Sequence, residues 1–331
     1  MKSFFLKLIV LFNLLLLCGC KQNSSISSDS ATTAKNEIQY AKGLEIYHHK
    51  GYSILTITHP WPDAKTPFTY ILQEKNGIIP DSLQQYPRIS VPIQSIVVTS
   101  TTHIPALELL GVENTLVGFP NTDFISSPKT RKRIDSGKVQ EVGTNETLNP
   151  EILIDIAPDV IVSFGLNNSN PTLDNLQKSG LKVLLNGDWN EQSPLGKAEW
   201  IKFFGALYGL DAKAKTIFNS IEKEYQTTLA LAKKTTFKPT VLSGAMYQDQ
   251  WFVPQGESWM ALFLKESQSN YLWANTTGTG SLTLPFETIL EKAQTAEFWI
   301  APGDFSSLKE MNISNPHYAK FEAFKNKKVY S

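Results

Sequence analysis

Cysteine is nearly absent from the 331 residues: the only two are Cys18 and Cys20. A structural disulfide, a thiolate metal site and a cysteine nucleophile are therefore excluded from everything after residue 20. Histidine is scarce as well. His48, His49, His59, His103 and His317 are scattered, without the His-rich tract or the three loop histidines that a receptor for bare zinc or manganese needs. Neither sign of charge is in excess, since Lys+Arg and Asp+Glu each number 31, so the basic surplus of a nucleic-acid binder is missing. No G-x-S-x-G, no H-E-x-x-H and no nucleophile beside a recognisable base occurs, which leaves no catalytic constellation. "GTGSL" around Gly278 and Gly280 lacks the third glycine and the Lys-Ser/Thr pair of a phosphate loop, and reads as a loop near a cleft.

What the sequence does hold starts at its first residue. "MKSFFLKLIVLFNLLLLCGC" has Lys2 and Lys7 in a basic start, then an apolar run too short for a membrane span, which is the pattern of a secretory signal. Its ending, Leu17-Cys18-Gly19-Cys20, is similar to the bacterial lipobox. That similarity implies cleavage before Cys20, lipidation of Cys20 and removal of residues 1–20. Residues 21–37, "KQNSSISSDSATTAKNE", are polar and Ser/Thr-rich and read as a flexible tether.

The remaining length suits two domains. Residues 38–75 alternate polar and apolar positions, and Lys50-Gly51 marks a turn, so an N-terminal β-hairpin extension is expected over 38–89. Short apolar strands then alternate with helices over 90–192, as in Ile96-Val97-Val98 followed by a helix containing Pro105 and stopping at Gly111. Such alternation implies parallel pairing with helices on both faces, one α/β lobe. Strands vanish over 193–235, where "SPLGKAEWIKFFGALYGL" reads as one helix. "DAKAKTIFNSIEKEYQTTLALAKK" reads as a longer helix, capped by Asp211 and running roughly 35 Å. They resume over 236–331, which makes a second α/β lobe with the long helix between the two.

Two segments share a shape: "EILIDIAPDVIVSFG" from Glu151 and "ETILEKAQTAEFWIAPG" from Glu287 each set a glutamate at the head of a helix that leads into a buried strand. With the lobe–helix–lobe order, they make residues 90–330 resemble the bacterial substrate-binding proteins that deliver ferric siderophores, haem and cobalamin to ABC importers. The resemblance implies an α/β fold of two Rossmann-like lobes with parallel-type sheets joined by one long α-helix. It also implies a monomeric, non-enzymatic receptor at the cell envelope, anchored to the membrane by lipid, with an ABC permease dimer as partner. The ligand is a metal chelate or corrinoid, foremost a ferric siderophore; it carries its own metal, so no cofactor and no protein metal site are expected. By register the permease-docking glutamates fall on Glu151 and Glu287, where the helix dipole also favours a carboxylate.

Members of the group usually continue past "FKNKKVYS", and this sequence stops at Ser331, so either the last part of the C-terminal lobe is absent from it or the chain is a short variant. One connecting helix bends less freely than several strand linkers, so little hinge motion is expected. Removing the two docking charges separates this reading from that of a surface lipoprotein serving an outer-membrane transporter. The competing class is an exported α/β enzyme acting on envelope or carbohydrate substrates, which would need paired carboxylates at the strand ends. Asp159 instead opens a strand.

Ligands of such lobes bind beyond the carboxyl ends of the strands. The candidates there are Thr102, His103, Phe119, Asn121 and Phe164 from the first lobe, and Tyr247, Gln248, Trp251 and Trp259 from the second. The aromatic residues offer flat contact, and Thr102, Asn121 and Gln248 offer hydrogen bonds. Tyr247 and Trp251 stand out because polar residues surround them; His103, directly after the first strand loop, is either a polar cap or surface residue at a helix start or a ligand for haem iron or a metal. Arg131 and Arg133 are candidates for an anionic chelate, or simply a solvated basic helix face.

Overall fold

The period-two alternation after residue 43 builds β1 (Leu44–His49) and β2 (Tyr52–Ile57), an antiparallel hairpin turning at Lys50-Gly51. It continues into β3 (Phe68–Glu74), antiparallel to β2, and β4 (Arg88–Val91), parallel to β3. The extension is thus a four-stranded sheet, larger than the hairpin expected. Its inward residues Leu44, Ile46, Leu55, Ile57, Leu72 and Ile89 share one core with the first lobe, so it packs as part of that lobe. The computed structural model describes residues 34–331, apart from 63, 146, 166–169 and 304. The expected signal, Cys20 and the tether up to residue 33 lie outside the described residues.

The first lobe follows with β5 (Ile96–Val98), α1 (His103–Leu110), β6 (Leu116–Phe119), α2 (Pro128–Asp135), β7 (Gln140–Glu141), α3 (Pro150–Ile156), β8 (Val160–Ser163), α4 (Pro171–Lys178) and β9 (Val183–Leu185). Its five strands are all parallel, in the order β7-β6-β5-β8-β9. β5 and β8 are buried along their whole length, as parallel strands covered on both faces must be. Three of the helices start alike, with a capping side chain followed by proline: Ser127-Pro128, Asn149-Pro150 and Asn170-Pro171. Each cap oxygen accepts a backbone N–H of the first turn, and each proline sits where no N–H is needed.

Ser193-Pro194 starts α5 (Pro194–Glu199) in the same way; a break at Trp200 then separates α5 from α6 (Ile201–Tyr208), dividing the single helix expected. α7 (Asp211–Ala232) is the connecting helix, 22 residues long, about 33 Å. Asp211 is its first helical residue and not its cap; its carboxylate lies 3.8 Å from His48 on β1. Ala214 and Phe218 bury one end of α7 in the first lobe. Toward the other end Tyr225 packs on Phe263 of the second lobe, ring centroids 5.9 Å apart, and its hydroxyl donates to Glu266.

The second lobe holds β10 (Thr240–Ser243), β11 (Ala245–Tyr247), β12 (Gln250–Pro254), α8 (Trp259–Glu266), β13 (Asn270–Tyr271), β14 (Ser281–Pro285), α9 (Phe286–Ala293), β15 (Phe298–Ile300), α10 (Leu308–Ser314), α11 (Glu322–Lys325) and β16 (Val329–Tyr330). A parallel sheet β13-β10-β15-β16 mirrors the first lobe, with β10 and β15 paired as β5 and β8 are. A separate antiparallel sheet, β11-β12-β14, lies beside it.

Candidate ligand cleft

In both lobes the strand order reverses beside the first strand, between β5 and β8 and between β10 and β15. The loops past those strand ends form the crevice where ligands of such sheets bind. The lobes meet there. Lys197 on α5 holds its ammonium 5.6 Å from the ring of Trp259, the first residue of α8, a cation–π contact across the gap. A recess of about 260 Å³ beside it is lined by Glu191, Gln192 and Ser193 from one side and by Gly256, Glu257, Ser258, Leu262 and Lys265 from the other.

Several candidates from the sequence do reach the surface. Tyr247 is 66% exposed at the tip of the β11–β12 hairpin, and Trp259 is 37% exposed. Thr102 is exposed, 2.8 Å from the Ser100 hydroxyl, and borders a recess of about 280 Å³ shared with Leu109, Asp188, Lys197 and Phe204. Phe164 and Asn121 are half-buried, and the Asn121 backbone N–H donates to Glu141 at 2.6 Å. Gln248 and Asp249 both have positive φ, 47° and 61°, the two-residue turn that closes a tight hairpin, so the Gln248 side chain projects from a turn.

Others do not reach it. Trp251 is 0% exposed and lies in the second lobe's core, 5.0 Å from Trp299 and 5.5 Å from Phe321, ring centroid to centroid; it cannot contact a cleft ligand. Phe119 is likewise a core residue of the first lobe. The two arginines of α2 are tied to backbone: Arg131 donates to Thr122 O at 2.7 Å, and Arg133 to Asn114 O and Leu116 O. A residue the sequence reading passed over is Phe124, 68% exposed in the loop after β6. Its signal was available, an aromatic at the end of the polar run Asn121-Thr122-Asp123 in the loop after a strand. Asp159 donates and accepts bonds with Ser95 and Gln94 at the opposite, amino ends of β5 and β8, so it ties the strands together away from the cleft.

His103 is 0% exposed, with its ring 5.5 Å from Phe204, and so is not open to a haem iron. Neither ring nitrogen has a partner, and Asn186 Nδ2, Asp188 Oδ1 and Trp189 Nε1 are also unpartnered among the described residues. Burial holds the His103 pKa below the ordinary histidine value, against the opposing pull of the Asp188 carboxylate and the Asn186 amide. The fold therefore favours the neutral ring while the unfolded chain takes up a proton more readily. The stability this gives is complete above about pH 6.5 and is lost as pH falls from there toward the depressed folded value. Urea midpoints measured from pH 7.5 to 5 are expected to fall further in the wild type than in His103→Leu; equal slopes would show that the ring gains a partner on protonation.

Glu151 and Glu287 occupy equivalent places. Each is exposed in the first turn of a helix, α3 or α9, that leads into the strand paired with its lobe's first strand, β8 or β15. Among the described residues, no group of three or more His, Cys, Asp or Glu side chains is arranged to hold a metal ion.

The sequence pattern of the periplasmic binding protein family matches residues 96–331. The chain belongs to that family. An uncharacterized lipoprotein of Methanocaldococcus jannaschii is 24% identical to this periplasmic binding protein over 93% of the chain and 80% of its own length. A second uncharacterized protein of that organism is 27% identical over 77% and 79% of the two chains. Among solved structures, the periplasmic haem binding protein HutB of Vibrio cholerae superposes with a TM-score of 0.57 at 15% identity, covering 71% of this chain and 88% of its own. A possible iron-binding, periplasmic solute-binding protein from Staphylococcus epidermidis gives a TM-score of 0.52 at 17% identity, over 72% and 89%. These likenesses share the two-lobe fold with a long connecting helix. As a periplasmic binding protein of the ABC-importer type the chain is a solute carrier and not an enzyme.

Proposed function

We propose that this periplasmic binding protein is a monomeric, lipid-anchored receptor of the cell envelope that captures a ferric siderophore-like chelate between its lobes and delivers it to an ABC permease dimer. The observation that carries the reading is the matched pair of exposed glutamates, Glu151 and Glu287, one on each lobe at equivalent helix starts. Two such charges can meet two equivalent basic patches of a two-fold permease and set orientation and association rate. The exposed aromatic residues Phe124, Tyr247 and Trp259 suit a large, partly apolar ligand that brings its own metal. Lipidation at Cys20 and anchorage rest on the lipobox similarity; among the described residues no helix is long and apolar enough to cross a membrane. Haem or cobalamin fits the same role as a second cargo class.

The test has two arms. Tryptophan quenching by ferric catecholate, ferric hydroxamate, ferric citrate, haemin and cyanocobalamin is expected to saturate at submicromolar concentration for one class, on the order of the affinities such clefts reach. In cells carrying the cognate permease, Glu151→Ala with Glu287→Ala is expected to cut uptake by roughly tenfold or more while leaving that binding unchanged, since neither lines the recesses between the lobes. Undiminished uptake would point to a receptor that works without an ABC permease.

A further inference from the structure

The N-terminal extension precedes residues 96–331, the part matched by the family, yet it sits on the ligand end of the first lobe. Its β2–β3 loop, His59-Pro60-Trp61, lies over the carboxyl ends of β8 and β9. A Cβ on Gly165, two residues past β8, would fall 2.6 Å from the Trp61 ring, and one on Gly187, two residues past β9, 2.8 Å from His59 O. Both glycines therefore permit the loop to rest directly on the strand ends. Trp61 is steadied by Phe68, edge to face at 5.6 Å, and Asn190 Nδ2 donates to His59 O at 3.4 Å.

The same extension lines the space between the lobes. Lys42 borders the inter-lobe recess together with Lys265 of α8. It also borders an adjoining recess of about 210 Å³, lined further by Gly43, His59, Gly187, Asn190, Glu191 and Gln192. Lys42 and Lys265 are exposed, and neither has a carboxylate within 4.0 Å among the described residues. The acidic groups that border the recess are already engaged. Glu191 accepts the N–H groups of Lys42, Gly43 and the Trp200 indole, and Glu257 accepts the N–H of Gly278. The hydroxyls of Ser193 and Ser258 accept from Gly196 and Ala261 in capping their helices, which leaves both O–H groups free to donate. Glu191 and Glu257 keep their charge and balance the two lysines, so what the recess offers an acceptor-rich anion is its free donors, the two ammonium groups and the two hydroxyls.

We infer that the extension is a wall of the binding site, and that Lys42 from it and Lys265 from the opposite lobe receive an ionised carboxylate arm of the cargo. This rests on the receptor reading above. One such arm held by both lysines bridges the lobes through the ligand, and the chain's cargo is then an acidic chelate.

The full chain is titrated with ferric citrate and haemin, which carry carboxylates, and with ferrioxamine B and cyanocobalamin, which carry none. A carboxylate-bearing probe is expected to bind at least about tenfold more tightly than the other two. Lys42→Ala and Lys265→Ala are each expected to weaken it by about tenfold, the loss of one charge-assisted contact, with the thermal transition unchanged. Preferred binding of ferrioxamine B or cyanocobalamin, or unchanged affinity in both lysine variants, overturns the inference and leaves the receptor reading standing. Absence of binding by all four probes to the folded chain overturns the inference; if ferric catecholate also fails to bind, the receptor reading falls with it.

Discussion

Glu199→Ala is expected to destabilise the protein by about 3–5 kcal/mol, the cost of breaking a buried ion pair from one side. Glu199, on α5, is 0% exposed and accepts the backbone N–H groups of Gln39, Tyr40 and Ala41. It also holds Lys202 at 2.7 Å; that ammonium reaches the Glu37 carbonyl at 3.0 Å and lies 4.8 Å over the Phe218 ring. Alanine leaves three N–H groups and a nearly buried ammonium without their acceptor, and a buried unpaired charge is the most expensive of these. Glu191 still grips Lys42 and Gly43, so the entering segment detaches only in part. Guanidinium denaturation measures the loss, and limited proteolysis before residue 44 reports the detachment. A change below about 1 kcal/mol would mean that Lys202 turns out to water and the pair adds little.

The second large effect belongs to Trp251→Ala, expected to cost about 3–5 kcal/mol through the cavity it leaves. Four aromatic rings face the indole: Trp299 at 5.0 Å, Phe321 at 5.5 Å, Tyr318 at 6.0 Å and Phe286 at 6.5 Å, centroid to centroid. These neighbours come from α9, β15 and the segment after α10, so little backbone can close the void without moving several elements at once. The outcome is read by urea denaturation followed through near-ultraviolet circular dichroism of the second lobe. A loss below about 1 kcal/mol would show that the lobe repacks, and a loss of ligand affinity in a fully stable Trp251→Phe variant would return the residue to the cleft.

Trp251 also shows where the sequence stops being readable. "QWFVP" alternates, and the alternation was visible; which face points inward depends on β14, which pairs with β12 from some thirty residues further on. Polar neighbours at Gln248, Asp249 and Gln250 suggested exposure, but they mark the hairpin turn and the outward face of the strand. His103 failed for a similar reason: its burial comes from Phe204 on α6, a hundred residues away in sequence. The lobes themselves were legible because parallel strands are short apolar runs, because cap-proline pairs announce helix starts, and because a helix as long as α7 has no place inside a single βαβ unit. The contribution of the extension was not, since Lys42 and Trp61 acquire their setting only when β2–β3 folds onto strand ends that lie more than a hundred residues downstream.

The placement of Glu151 and Glu287 on separate lobes has a further consequence for how a loaded molecule could be told from an empty one. Under the proposed docking, the gap between these two carboxylates is a caliper whose jaws are the lobes and whose beam is α7. A rotation of a few degrees on a lever the length of α7, about 33 Å, shifts a jaw by roughly 2–3 Å, comparable with the reach of an ion pair. A permease with fixed basic patches would then gauge occupancy by fit alone, accepting the setting that a bound cargo imposes and holding others more loosely, with no need to touch the cargo itself.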